Sequence, residues 1–163
     1  MIWVDIAIIA LLAIHIVAGV IRGFSQEVFT LIAWVAGIFV AWLFSQDFAI
    51  FLLKVFSPPS ARLAVAFVSL ILITVVIGAI IKVLLAKAVK KTGLNFLDRL
   101  GGLLLGLVHG LVVVFVLVVV AGLTALPKDR WWQESKYIPP FQSLAILVKD
   151  NIPSTVASSI NYR

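Results

Sequence analysis

Three ionisable side chains fall well inside apolar stretches of this 163-residue sequence: Asp5, His15 and His109. A carboxylate and two imidazoles are the side chains that serve general acid–base catalysis, carry protons within a bilayer, or ligate a metal. Ionisable groups inside a span face protein or water and are functional candidates by default. Each also has a plainer reading. Asp5 is an interfacial carboxylate near the positive end of the first helix. His15 and His109 are neutral imidazoles hydrogen-bonded to a neighbouring helix, with a proton or ion path as the sharper alternative. Two histidines without a third ligand make a weak metal site, and no HExxH spacing occurs. GxSxG, P-loop and Rossmann glycine signatures are absent as well. With no cysteine, disulfides, thiolate metal sites and cysteine nucleophiles are excluded. The residues therefore point away from an enzyme, and no cofactor is expected.

Two further polar pairs sit at the edges of apolar runs. Arg22 and Glu27 bracket a tight turn carrying Gly23. A local ion pair at headgroup level there is worth ~0–1 kcal/mol. Asp98-Arg99 opens the last long apolar run, where capping and contact with lipid phosphate are the expected roles.

The elements that must hold these residues follow from composition. Hydrophobic types make up 63% of the chain and charged types 12%. An ordinary soluble domain of this size needs more polar surface, having roughly 25% charged residues. Disorder is excluded by the same numbers, and the unbroken run Val112–Val120 does not alternate as a barrel strand would. The expected fold is an all-α membrane protein with four transmembrane helices, at about 2–21, 28–46, 63–86 and 100–126. The first run lacks a basic n-region and a clear cleavage site, so it reads as a retained span and not a signal peptide. Ser25 is the expected N-cap of span two, with Glu27 in its first turn. Residues 47–57 are mostly apolar, with Lys54 the only charge between Asp47 and Arg62, and too short to span, which predicts a short interfacial helix between spans two and three. Pro58-Pro59 ends it. Beyond Lys82, Lys87, Lys90 and Lys91, Thr92-Gly93 stops span three and Asn95 with Asp98 resembles a capping box. Leu100 to Pro127 is free of Lys, Arg, Asp and Glu for 28 residues. That is longer than the ~20 residues a span needs, so this helix tilts or begins in an interfacial turn. Residues 1–126 thus form the bundle. Residues 127–163 form an interfacial, amphipathic tail in which Pro139-Pro140 breaks the chain, Phe141, Leu144, Ala145 and Val148 share a helix face, and Pro153 precedes a Ser-rich terminus.

Small residues recur every fourth position on two spans: Gly102, Gly106 and Gly110, and Ala33, Gly37 and Ala41. Such faces let backbones approach closely in lipid. Packing inside one bundle and self-association both remain open at this point. The net charge of +6 reads as topology and anionic-lipid contact, centred on Lys82–Lys91, and not as nucleic-acid binding. The dense basic loop Lys82–Arg99 predicts both termini outside the cytoplasm.

Several stretches resemble one family in order and spacing. These are Trp3-Val4-Asp5-x-Ala7-Ile8-Ile9, Arg22-Gly23-Phe24-x-x-Glu27, Lys91-Thr92-Gly93-Leu94 with Asp98-Arg99-Leu100-Gly101-Gly102 and Gly106, and Trp132, Ser135, Ile138 and Pro139 in the tail. Together they are similar to the colicin V production protein family of bacterial inner membranes, over Met1 to about Pro140. Where that family often carries Arg before the last glycine of span four, this chain has His109 before Gly110. The resemblance implies a multi-pass inner-membrane protein linked to toxin production and envelope integrity. The function expected is non-enzymatic, acting through helix packing and a partner, either a second copy or another membrane protein. An oligomeric pore or transport component built on the span-four glycine face is the alternative. A membrane enzyme using Asp5, His15 and His109 is a third reading.

Overall fold

In the computed structural model, residues 2–53, 58–86, 96–124 and 126–149 are described. Lys54, Lys87, Lys90, Lys91, the stop at Thr92-Gly93, the expected cap Asn95 and the Ser-rich terminus lie outside them.

Four long helices dominate: α1 (Trp3–Arg22), α2 (Phe24–Phe51), α3 (Pro59–Ala86) and α4 (Phe96–Gly122). Each is long and apolar enough to cross a membrane. Two shorter helices follow, α5 (Arg130–Gln133) and α6 (Ile138–Lys149), after a 3-10 turn at Leu126–Lys128. α1 and α2 are separated by a single residue, Gly23, with φ 80° and ψ 168°. This backbone region is essentially restricted to glycine, so the reversal depends on Gly23. α2 therefore begins at Phe24, and Ser25 lies inside its first turn instead of capping it. The Ser25 N–H is met from another helix, donating to Asp98 Oδ1 at 3.4 Å. That bond satisfies one of the orphan donors of a helix start.

α2 is longer than the charge pattern suggests. Residues 47–51, expected to open a separate interfacial segment, continue α2 to Phe51. No Gly or Pro interrupts the stretch, and one Asp at a helix surface does not stop a helix. At 1.5 Å per residue, the 28 residues of α2 span about 42 Å. That exceeds the roughly 30 Å hydrocarbon core, so an end reaches the interface or the helix tilts. α3 likewise starts earlier than expected, at Pro59, because a proline in the first turn costs no hydrogen bond. The same rule explains Pro139 and Pro140, which begin α6 instead of breaking it.

The long helices lie side by side in the order α1, α4, α2, α3: α1 packs along α4, α4 against α2, and α2 along α3. Two kinds of surface produce this order. One face of α4 is glycine, and α1 lies against it. Another carries Val116, which packs with Ala41, Phe67 and Ile71. After α4 the chain folds back, and Trp132 and Ile138 cover Val114, Val118 and Ala121. Within α6, Ala145 is buried and Leu144 exposed. The outer faces present large apolar side chains such as Ile14, Phe39, Leu72 and Val83. In water such a surface would drive aggregation, whereas in lipid it is the solvent-facing side.

Candidate functional site

The polar residues of the bundle gather in two places. The first is built from the start of α2 and the middle of α4. Glu27 sits in the first turn of α2, where the positive helix end favours a carboxylate. It is only 1% exposed. His109, at the midpoint of α4, is 3% exposed and its Nδ1 lies 2.5 Å from Glu27 Oε1. The other carboxylate oxygen accepts from Arg22 Nη1 at 3.3 Å. With Glu27 ionised, Nδ1 of His109 must carry the hydrogen, because two acceptors cannot bond each other. The ring of His15 meets that of His109 at 4.9 Å between centroids, nearly perpendicular. His15 is itself fixed, with Nδ1–H donating to the Leu11 carbonyl at 2.8 Å. Trp34 closes the other side at 5.4 Å. Lys82 of α3 borders the site and is tied to α2: its ammonium donates to the Gln26 carbonyl at 3.1 Å and to Thr30 Oγ1 at 3.0 Å. At most one of its three N–H groups is left for a lipid headgroup.

The second place joins the two ends of the described chain. Asp5 has no exposed surface. Its Oδ1 accepts from the Ser135 hydroxyl at 2.7 Å and the Lys136 N–H at 3.1 Å, and its Oδ2 from the Ile2 N–H at 3.4 Å. Ser135 in turn accepts from the N–H groups of Tyr137 and Ile138. Asp5 thus both caps α1 and clasps the tail to it. Above the clasp, an apolar groove of about 220 Å³ runs between α1, α4 and the tail, walled by Trp3, Ile8, Leu117, Trp131 and Trp132 among others. Trp131 stands 5.2 Å from Trp3 and 5.8 Å from Trp132.

The small-residue faces have definite neighbours. A Cβ on Gly102 would overlap the Gly19 carbonyl oxygen, and one on Gly106 would overlap that of His15. Gly110 faces Leu12 and His15. On α2, Gly37 lies against the Ile71 backbone, Ala33 meets Gly78, and Ala41 is fully buried beside Phe67. Arg99 is exposed at the start of α4.

The structure thus unites His15, His109, Arg22 and Glu27 in one site and leaves Asp5 in another, about 10 residues of helix, or roughly 15 Å, from His15. Glu27 and Arg22 do form a pair, with Glu27 buried against α4. Asp5 is buried as well, against the tail. Trp34 escaped the sequence reading, although a tryptophan ten residues into a span departs from the interfacial preference of that residue. Ser135 was visible only as part of a motif. Among the described residues, no group of three or more His, Cys, Asp or Glu is arranged to hold a metal ion.

Comparison with known proteins places this architecture. The family model described as colicin V production protein matches residues 4–146. The colicin V production protein of Escherichia coli (strain K12) is 31% identical over 156 residues, covering 95% of this chain and 96% of the relative. The colicin V production protein homolog of Haemophilus influenzae is 34% identical over 139 residues, 85% of each chain. No solved structure matches. The matched segment runs through both polar sites and all four long helices, and the chain belongs to the colicin V production protein family, a family of bacterial membrane proteins.

Proposed function

We propose that this chain is a non-enzymatic, multi-pass inner-membrane protein that supports toxin production or export, or envelope homeostasis, by holding its helices in a fixed arrangement for a partner to recognise. The observation carrying this reading is that its buried carboxylates bond to other elements of the same chain. Asp5 is spent on the tail, and Glu27 on Arg22 and His109. Catalysis needs acid–base groups converging on a shared cleft. Here the two sites are separated along α1, and the groove beside Asp5 is walled by apolar side chains. The names of the relatives support the link to colicin V production.

The alternative of an oligomeric pore has less support, because the α4 glycine face it would use lies against α1. Anionic headgroups near Lys82–Lys91 and termini outside the cytoplasm complete the proposal. Affinity capture of the full chain from membranes tests the reading. A specific membrane-protein partner is expected. A chain that is monomeric in lipid discs, captures no partner and speeds ion flux across liposomes would contradict it.

A further inference from the structure

Two buried side-chain atoms lack a hydrogen-bond partner among the described residues, Ser45 Oγ on α2 and His109 Nε2 on α4, and only the second is a base. His109 is 3% exposed, and its Nε2 has no hydrogen-bond partner among the described residues. Buried polar atoms are almost always paired, so an unpaired ring nitrogen calls for an explanation. The other ring nitrogen is committed to Glu27. With that carboxylate ionised, Nδ1 carries the hydrogen and a neutral ring leaves a bare lone pair at Nε2. The only ligand that needs no further space is a proton.

We propose that Nε2 of His109 is an intramembrane proton-binding site with Glu27 as its counter-ion. A hydronium ion gives its proton to the Nε2 lone pair, one O–H bond breaks as the N–H bond forms, water is released, and the product is an imidazolium held against the Glu27 carboxylate. The charge of the site rises by one. Burial disfavours the charged ring, and two features favour it. Glu27 contacts it directly, and Trp34 lies 5.4 Å away, within the roughly 6 Å reach of a cation–π contact. The cations that oppose it are Arg22 from α1 and Lys82 from α3, and the His15 ring of α1 also packs against it. On α4 itself, Asp98 and Arg99 lie 10–11 residues away, about 15 Å or more along the helix, and act weakly. The Glu27 carboxylate bonds Arg22 through one oxygen and the ring through the other, so its charge is shared between the guanidinium and the imidazole.

The test is nitrogen NMR on the full chain in lipid discs, with 15N-labelled histidine, from about pH 5 to 8. The two imidazoles are assigned by the signal lost in His15→Gln. The expected result is reversible conversion of His109 from the Nδ1–H form to the doubly protonated form. Glu27→Gln should cut the doubly protonated population at a given pH roughly tenfold or more. Should Glu27→Gln fail to fold, Trp34→Leu is the second variant, with a reduction of roughly threefold expected. A ring that keeps one protonation state at every pH overturns the proposal. So does a titration indifferent to whichever of these variants folds.

Discussion

Asp5 and Glu27 are carboxylates with almost no exposed surface, and each holds parts of the chain that are far apart in sequence. Their substitutions should separate tethering from chemistry. Asp5→Asn keeps an oxygen that accepts from Ser135 and Lys136, whereas Asp5→Leu keeps none. Asp5→Leu should expose residues 130–138 to protease and hydrogen exchange, while Asp5→Asn does so only slightly and still restores a strain lacking the protein. Loss of function in a well-folded Asp5→Asn would mean that the ionised carboxylate itself is required. At the other site, Glu27→Ala removes the partner of both Arg22 and His109. Breaking a buried pair this way costs about 3–5 kcal/mol. Glu27→Gln retains hydrogen bonding and should cost less, about 1–3 kcal/mol. Unfolding measured in lipid discs orders the two.

At the scale of elements, the close approaches of α1 to α4 and of α2 to α3 are set by small residues. Gly37→Leu would push against the Ile71 backbone, which a flexible side chain cannot relieve. Overpacking of this kind costs about 1–3 kcal/mol, read as a lower unfolding midpoint with the helix content retained. The four spans were legible because a bilayer demands long apolar runs, and run length is a local property of sequence. Helix ends were less legible. Polarity at Asp47 looked like a boundary, but α2 continues to Phe51 because nothing there disfavours helical backbone. Pro139 and Pro140 looked like a break, but a first turn accepts proline. The sites were legible as residue types and not as pairs. Glu27 and His109 are separated by 82 positions, and Asp5 and Ser135 by 130. Only the order α1, α4, α2, α3 brings them together, and no periodicity in the sequence encodes that order.

For the whole molecule, four spans put the two ends of the bundle on one side of the membrane. The excess of Lys and Arg between Lys82 and Arg99 is expected to hold that loop in the cytoplasm. A periplasm-active reporter fused after Arg163 should therefore be active, and a cytoplasm-active one silent. Lys82 already donates to Gln26 and Thr30, so this charge also stitches α3 to α2. Its replacement by Met should weaken that contact more than it changes orientation.

The most direct test concerns the α4 glycine face, since a scaffold needs it inside one chain and a pore needs it between chains. The measurement is the mass of the wild type and of Gly106→Leu in native-like lipid discs. The expected result is the same number of chains per disc in both, with Gly106→Leu markedly less stable because leucine meets the His15 backbone. A discrete wild-type oligomer that falls to monomer on this substitution would place the face between subunits and contradict the scaffold reading.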